Sequence, residues 1–271
     1  MSRHDVTDCE WKSIRVYLPA ERNGKRGRPW VLHRKVIDGI LWVLNVGGGW
    51  RDLPEEYGSW STVYSRFRRW CKEGLWNRIM RSLLRKLDSN GGVDRQLWCV
   101  DGTIIRAHRS AAGARRSTRK TKDNEALGRS QGGNGTKLHI MTDSHGILLA
   151  ITATPGQSHE AKEFPNMMNH VELSIQRIDK RPKQLAGDKG YSSNKIRQWL
   201  IAKQIRPVIP TKSNEAKHPF NKRTYRKRNI VERTIGWLKD HRRIATRYDK
   251  NIQHFLAFAK IAFARKLLKL I

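Results

Sequence analysis

Apolar side chains recur at helical spacing through the first ninety residues. Residues 31–46 carry apolar positions three or four residues apart, and three consecutive glycines then interrupt the pattern. A second helical stretch runs from a serine cap at Ser59 or Ser61 to about Lys72, and a third follows from Trp76. Seven of the ten tryptophans fall in this segment, and large rings can build a small core from few residues. The pattern predicts three packed helices.

Beyond a Ser-Asn-Gly-Gly linker the pattern changes from helical to strand-like. Strands are predicted at 97–105, 137–143, 147–154, 184–188 and 206–210. Helices are predicted at 160–177, 193–204, 229–244 and 251–270. The order of these elements is three strands, helix, strand, helix, strand and helix. This order predicts an α/β fold with a mixed sheet flanked by helices, and it matches the ribonuclease H-like fold. We therefore expect an all-α domain over residues 1–90 and an α/β domain over residues 91–271.

Two basic stretches, residues 109–136 and 212–228, have the pattern of neither a strand nor a core helix. They combine many Lys and Arg side chains with Gly, Ser and Thr. One interpretation is disordered loop, and the other is a pair of arms that grip phosphates and become ordered on binding. The two interpretations are compatible, because an arm that folds on its partner is disordered before it binds.

The charge of the chain points to a polyanionic partner. The chain has 55 Lys and Arg residues and 24 Asp and Glu residues, which gives a formal net charge of +31. A merely soluble surface is the alternative, but excess charge of one sign repels itself and disfavours compaction. Such a surface can bind nucleic acid, because neutralising the phosphates releases counterions and thereby supplies binding affinity. We therefore predict a nucleic-acid-binding protein.

The second predicted helix carries basic residues beside its apolar stripe. Arg66, Arg68, Arg69 and Lys72 are assigned to faces other than that of Val63, Phe67 and Trp70. A helix, a glycine turn and a basic helix resemble a helix-turn-helix DNA reader. Basic residues on a helix are often only a solvated face. With the overall charge, we predict that these four residues contact DNA.

Cysteine usage and the chain start indicate the compartment. The three cysteines are scattered and include no C-x-x-C pair, which argues against a disulfide framework and a zinc site. The first residues lack an apolar export segment, and no apolar run approaches the roughly 20 residues that span a bilayer. We expect a cytoplasmic, nucleoid-associated protein without a membrane partner.

Two acids stand at the ends of predicted strands. Asp101 follows an apolar strand and precedes Gly102, and Asp188 ends a second strand between Gly187 and Gly190. Cleaving a phosphodiester requires an activated water and a stabilised leaving oxygen, which two Mg²⁺ ions about 3.5–4 Å apart can supply. Mg²⁺ prefers oxygen ligands, and glycine lets a metal or a substrate approach the backbone closely. The pattern predicts a metal-dependent acidic site.

A third acid belongs to a longer pattern. Tyr225, Arg228, Glu232 and Lys239 are separated by 3, 4 and 7 positions, so they share one stripe if the helix extends back to Tyr225. One interpretation is that Glu232 holds metal while Arg228 and Lys239 grip phosphates. The alternative is a surface acid paired with neighbouring cations on its own helix.

These motifs resemble a known family. The spacing Tyr225-x2-Arg228-x3-Glu232-x6-Lys239 is an unbroken instance of the signature of bacterial insertion-sequence transposases with an Asp-Asp-Glu triad. The stretches DGTIIRAHRSAAGARR, TPGQSHE and GDKGYSS resemble the insertion sequence five family, and the aromatic segment at 47–70 resembles the helical DNA-binding region of that family. The resemblance covers nearly the whole chain.

The resemblance implies roles for individual residues. Asp101, Asp188 and Glu232 would be the metal-binding catalytic acids on a ribonuclease H-like core, and Arg228 and Lys239 would position terminal DNA. Tyr225 and Lys189 are further expected DNA contacts. His108 and His159 could approach the scissile phosphate, although an isolated histidine is more often structural or solvated.

The expected activity is that of a DNA transposase. It would bind double-stranded terminal inverted repeats, free a 3′-hydroxyl at each end and direct it onto target DNA with two Mg²⁺ ions, for which Mn²⁺ could substitute. Handling two ends together implies a homodimer or larger assembly. Two alternatives stay open: a related nuclease that cuts without joining, and a domesticated, catalytically idle DNA-binding regulator.

Overall fold

Four α-helices precede the sheet in the part of the chain that the structure describes. The computed structural model describes residues 4–21, 31–113, 125–172, 174–175 and 181–271. The first helices are α1 (Asp8–Ile14), α2 (His33–Val46), α3 (Trp60–Lys72) and α4 (Leu75–Ser89). The three helices predicted from apolar spacing are confirmed as α2, α3 and α4, with starts shifted by one or two residues. Ser59 stands at the N-cap position of α3, but its side chain makes no capping hydrogen bond to that helix.

Gly47 ends α2 for a steric reason. Its φ is +74° and its N–H donates to the carbonyl of Val43, which closes the last turn in the left-handed conformation that glycine adopts readily. A Cβ at this position would lie 2.7 Å from Cβ of Arg242. The glycine therefore both terminates the helix and lets the chain of α2 approach a distant segment.

The sheet is mixed, as the sequence predicts. Its strands are β1 (Leu97–Ala107), β2 (Gly128–Ser130), β3 (Gly133–Asp143), β4 (Leu148–Pro155), β5 (Gln184–Gly187), β6 (Arg206–Val208) and β7 (Thr246–Arg247). The main order is β4-β3-β1-β5-β6, with β2 beside the start of β3 and β7 beside the end of β1. β3 is antiparallel to both β1 and β4, whereas β5 and β6 run parallel to β1. Helices flank this sheet, which confirms the expected ribonuclease H-like class.

The prediction that residues 109–136 lack regular structure is wrong at both ends of that stretch. A short helix, α5 (Arg109–Ala112), follows β1, and β2 pairs with the first residues of β3. The Gly-rich hairpin forms because Gly133, with φ +103°, makes a turn that other residues rarely adopt. Residues 114–124 of the predicted arm lie outside the described residues.

In the described residues after β4, six further α-helices are present. They are α6 (Glu160–Glu172), α7 (Asn194–Ala202), α8 (Lys222–Arg226), α9 (Asn229–Lys239), α10 (Arg242–Ala245) and α11 (Ile252–Leu268). α8 lies within 212–228, so the prediction that this stretch has no helix is wrong there. The single helix predicted over 229–244 is divided into α9 and α10, because His241 has an extended backbone. α6 contacts β3 and β4, and α9 contacts β1 and β3.

The last helix docks on the rest of the molecule, as its apolar face predicts. α11 contacts α2, α3, α4 and β4, and its buried residues join those of the sheet in one hydrophobic cluster. Phe67 of α3 stacks on Phe258 of α11 with ring centroids 4.8 Å apart. Such an aromatic pair contributes about 0.5–1.5 kcal/mol beyond burial of its area. None of the helices in the described ranges is long and apolar enough to span a bilayer.

Candidate active site

Asp101 and Asp188 lie at the same level of two neighbouring strands. Val100 of β1 pairs with Gly187 of β5 in parallel register, so the residue after each is an aspartate. Backbone amides orient both side chains: Oδ1 of Asp101 accepts the N–H of Gly102 at 2.9 Å, and Oδ1 of Asp188 accepts the N–H of Gly190 at 2.8 Å. The first two predicted acids are thus brought together by strand pairing.

Arg228 links the third acid to the first. Its guanidinium donates to Oδ2 of Asp101 at 2.9 Å and to Oε1 of Glu232 one turn further along α9. The guanidinium carbon also lies 5.5 Å from the ring centroid of Tyr225. The side chain of Glu232 is 47% exposed, whereas those of Arg228 and Asp101 are 13% and 15% exposed. Three of the four signature residues therefore meet around one guanidinium.

The four signature residues do not lie on one continuous helix. α8 ends at Arg226 and α9 begins at Asn229, with a turn in which the N–H of Arg228 donates to the carbonyl of Tyr225. Tyr225 reaches Arg228 through this turn and not through a shared helical stripe. Lys239 closes α9 about 10 Å along the axis from Glu232, since seven residues rise 1.5 Å each. It does not take part in the contacts around Arg228.

A fourth acid, Glu160, also faces this site and escaped the sequence analysis. It is the first residue of α6, and its Oε1 lies 3.3 Å from Nζ of Lys137. A Cβ on Gly102 would lie 2.9 Å from Oε1 of Glu160. A Cβ on Gly190 would overlap Oε2 of Glu160 and lie 2.9 Å from Oδ1 of Asp188. The signal available was the end of TPGQSHE: β4 runs parallel to β1, so the turn after it opens at the same edge of the sheet.

The acids and the cations beside them shift one another's pKa values. Burial raises the pKa of Asp101 above its ordinary value, Asp188 adds to the increase, and the Arg228 guanidinium opposes it. Burial likewise raises the pKa of Glu160, with a further increase from Asp188 and an opposing effect of Lys137. Burial lowers the pKa of Arg228, but Asp101 and Glu232 raise it by more, so the guanidinium holds its proton more firmly. The negative charges repel one another, and a cation stabilises them.

The donor chemistry suits a divalent ion, whereas the grouping is incomplete. Carboxylate oxygens are the ligands that Mg²⁺ prefers. Asp188 presents them directly after β5, whereas Asp101 presents them from within β1, which continues to Ala107 and does not end at Asp101 as the sequence predicted. In the part of the chain that the structure describes, no three His, Cys, Asp or Glu side chains are grouped closely enough to hold an ion. Glu232 is linked to Asp101 through Arg228 instead. Two of the three predicted metal ligands are neighbours, and the third is held apart from them by Arg228.

Gly190→Ala should disturb this arrangement more than its small size suggests. The added Cβ overlaps the Glu160 carboxylate, so either Glu160 or the Asp188 turn must shift. We expect DNA cleavage to fall at least about tenfold, because a misplacement near 1 Å at a reacting centre can reduce a rate a hundredfold. Gly236→Ala on α9 is the control, since a Cβ there meets no atom within 4 Å. If both variants cleaved as fast as the wild type, the close approach of Gly190 to Glu160 would not matter for cleavage, and the prediction would be refuted.

His139 makes the stability of the site region depend on pH. This fully buried residue of β3 pairs with Gly102, and its Nε2 lies 2.8 Å from Oγ1 of Thr154. Burial, assisted by Lys137, lowers its pKa from 6.5 to about 4. Between these values the unfolded chain binds a proton that the folded chain does not, so the stabilisation present above pH 6.5 is lost as the pH falls towards 4.

The size of this loss of stability follows from the lowering of the His139 pKa. At about 1.36 kcal/mol for each tenfold change in proton affinity, His139 should remove roughly 2–3 kcal/mol of folding free energy between pH 7.5 and pH 4.5. Urea unfolding at both pH values should show a smaller loss in His139→Gln than in the wild type. His159→Gln, at an exposed position, controls for loss of an imidazole. An identical pH dependence in His139→Gln and the wild type would contradict the prediction.

The predicted DNA contacts differ in accessibility. Lys189 beside Asp188 is exposed, as are Arg68, Arg69 and Lys72 on α3. The placement of Arg66 with them on an outer face is wrong: it is only 5% exposed and donates to the carbonyl of Val31 at 2.6 Å. Burial lowers its pKa to about 10. We therefore remove Arg66 from the set of DNA contacts.

The two histidines are separated by the fold. His108 follows β1 at the end of the strand, where its ring lies 4.9 Å from that of Tyr248 and its Nδ1 accepts the N–H of Ser110. It lies seven positions after Asp101, a distance of about 23 Å at 3.3 Å per residue. His159 is exposed next to Glu160. Tyr191 is fully buried beside the acids.

Comparison with known proteins identifies the family of the chain. Residues 94–267 match the family described as "Transposase DDE domain". The chain therefore belongs to the transposases with a DDE domain. Residues 6–80 match the family described as "Putative transposase of IS4/5 family", which agrees with the insertion-sequence resemblance drawn from the motifs.

Individual proteins are similar to parts of this chain. The chain is 39% identical over 112 residues to the "Uncharacterized protein y4sN" of Sinorhizobium fredii, a match that covers 41% of this chain and 84% of that protein. It is 30% identical over 131 residues to the "Putative transposase for insertion sequence element IS402" of Burkholderia cepacia, covering 47% and 60%. A solved Mos1 strand transfer complex covers 92% of this chain and 81% of its own at 12% identity, with a TM-score of only 0.29.

Proposed function

We propose that this chain binds the terminal inverted repeats of an insertion sequence, cleaves the phosphodiester bond at each end and transfers the freed 3′-hydroxyl to target DNA. The observation that carries the proposal is that Asp101 and Asp188 occupy equivalent positions on the paired strands β1 and β5, with Arg228 bonded to Asp101 and to Glu232. Membership in the DDE transposases supports the same reaction class.

The acids would hold two Mg²⁺ ions, and Mn²⁺ would substitute for them. Bound there, the ions supply an activated water and stabilise the leaving oxygen. Asp101 and Asp188 would be oriented for this task by the N–H groups of Gly102 and Gly190. Glu232 would complete the set when Arg228 exchanges its carboxylate partners for a DNA phosphate, since the planar guanidinium can bind two oxygens of either group.

Cations around the acids would position the DNA. Arg228 would grip the phosphate next to the scissile bond, and Tyr225 would hold the guanidinium plane from the other side. Lys189, exposed beside Asp188, and Lys239 at the end of α9 would contact phosphates further along the strand. The net charge of +31 favours this partner at long range.

The exposed cations of α3 would bind the repeats. This proposal includes the predicted division of the chain, with a DNA-binding domain over residues 1–90 and a catalytic domain over residues 91–271. Handling two ends in one reaction would require at least two copies of the chain. A homodimer or larger assembly on DNA is therefore part of the proposal.

A joining assay with precut ends tests the proposal. Purified protein, Mg²⁺, duplexes carrying a recessed element end and a supercoiled target plasmid should give plasmid with the end covalently attached. The matched substrate carries a 3′-deoxy end, which cannot attack and should give no joined product. Cleavage of uncut ends without any joining would favour the related nuclease, and binding without either reaction would favour the idle regulator.

A further inference from the structure

A wide groove lies between α3 and the segment that joins β7 to α11. Its volume is about 1450 Å³. One wall carries Arg68, Arg69 and Lys72, and the opposite wall carries His108, Lys250 and Gln253. One wall comes from the N-terminal helices, and the other comes from the segments that follow β1 and β7. The groove is larger than the roughly 300–1,000 Å³ of small-molecule sites, which favours a macromolecular occupant.

The groove presents positive charge on both sides. The named residues of its two walls are exposed. Among the residues that the structure describes, neither Lys72 nor Lys250 forms an ion pair, and Nε of Arg69 is 4.0 Å from the nearest oxygen of Glu73. The acid that lines the groove, Asp249, is buried and held by two hydrogen bonds of 3.1 Å from Arg243. That acid therefore does little to offset the positive walls.

The groove also supplies neutral donors and ring surfaces. Gln253, Asn251 and Ser110 line it beside the cations, and side chains of this kind commonly bind phosphate and sugar oxygens in nucleic-acid complexes. The rings of Tyr64 and His254 lie between the walls. Cations on both walls with polar groups between them complement a sugar–phosphate backbone, whose charge runs along its whole length.

The position of the groove relates it to the acidic site. His108 comes directly after β1, about 23 Å along that strand from Asp101. Base pairs of a duplex are spaced about 3.4 Å apart, so this distance corresponds to roughly seven base pairs. A duplex that extends from the acids along β1 would therefore arrive between the two basic walls.

We propose that this groove clamps the backbone of double-stranded DNA about seven base pairs inside the bond that the acidic site cleaves. The inference rests on the proposed function and deepens it: the residues after β1 and β7 join α3 in holding the same duplex. Because both walls hold one duplex, binding through α3 sets the distance between the bound repeat and the acids.

The test uses Lys72→Gln combined with Lys250→Gln, one residue from each wall. Lys12→Gln combined with Lys195→Gln removes the same charge from exposed positions on α1 and α7. Binding of an element-end duplex is measured from 50 to 300 mM salt. Loss of two phosphate contacts should weaken binding on the order of tenfold near 0.15 M salt and reduce the slope of log K against log salt by about 1.8, at about 0.9 for each contact. The control pair should change the slope by less than half as much.

Phosphate ethylation interference on the same duplex locates the contact. In the wild type, ethylation about five to nine base pairs inside the end should inhibit binding, and this zone should disappear in the groove variant alone. If the wild type cleaves ends while the groove variant keeps the wild-type slope and interference pattern, the groove proposal is overturned and the proposed function stands. Equal competition by a single strand of the same length also overturns it. An interference zone without any cleavage by the wild type supports the groove and counts against the proposed function.

Discussion

Asp188→Asn should abolish cleavage of element ends in Mg²⁺ and leave binding of those ends intact. The substitution keeps the shape of the side chain and can keep the hydrogen bond from the N–H of Gly190. It removes the negative charge that a divalent ion requires at this strand end. A metal ion contributes several kcal/mol to stabilising a phosphodiester transition state, so we expect a rate at least about a thousandfold lower, at 1.36 kcal/mol for each tenfold. Single-turnover cleavage of a labelled duplex measures it.

Asp240→Asn provides the matched control for this variant. Asp240 is an exposed acid at the C-cap of α9, outside the contacts around Arg228. Its loss changes the net charge equally and should leave the cleavage rate within about twofold of the wild type. Gel-shift affinity for the end should be unchanged or slightly tighter in both variants, because each loses one negative charge near DNA. Wild-type cleavage by Asp188→Asn would refute the assignment of the acidic site.

Arg247→Met should cause the largest loss of stability. Arg247 is fully buried, and its guanidinium donates to the carbonyls of Glu125, Asp249 and Lys250 at 2.7–2.9 Å. A methionine fills much of the volume but leaves these carbonyls without their donor. Breaking a buried charged network of this kind costs about 3–5 kcal/mol. Equilibrium unfolding in urea should show this decrease in the free energy of unfolding.

The control for Arg247→Met is Arg129→Met on β2. Arg129 is exposed, so the same substitution there removes a charge without leaving buried groups unpaired. We expect its free energy of unfolding to stay within about 0.5 kcal/mol of the wild type. If Arg247→Met were no less stable than Arg129→Met, the hydrogen bonds around Arg247 would not hold these segments together.

The sequence predicted those parts of the fold in which local pattern and tertiary packing agree. Asp101 and Asp188 each follow an apolar run, and buried parallel strands require such runs, so their meeting at one sheet edge could be anticipated. Arg66 shows how the same reasoning can fail. It lies three residues after Val63 and four before Trp70, which places it in the apolar stripe, although its charge suggested an outer face.

The remaining differences depend on contacts between distant segments. Glu160 is recognisable as a site residue only when the pairing of β3 with β1 and β4 is known, because no local spacing connects it to Asp188. The link of Arg228 to Asp101 joins residues 127 positions apart. The hairpin of β2 and β3 has the composition of a loop, and its strand character comes from pairing alone.

The central claim is that residues 101, 188 and 232 act as one ion-binding centre on DNA. Fe²⁺ bound in place of Mg²⁺ reduces added hydrogen peroxide to hydroxyl radicals, which cut the polypeptide backbone near the ion, and mass spectrometry locates the cuts. With an element-end duplex bound, the account predicts cuts near Asp101, Asp188 and Glu232, all of them lost together in Asp188→Asn. Cuts grouped elsewhere in the chain, or cuts near Glu232 that persist in Asp188→Asn, would contradict it.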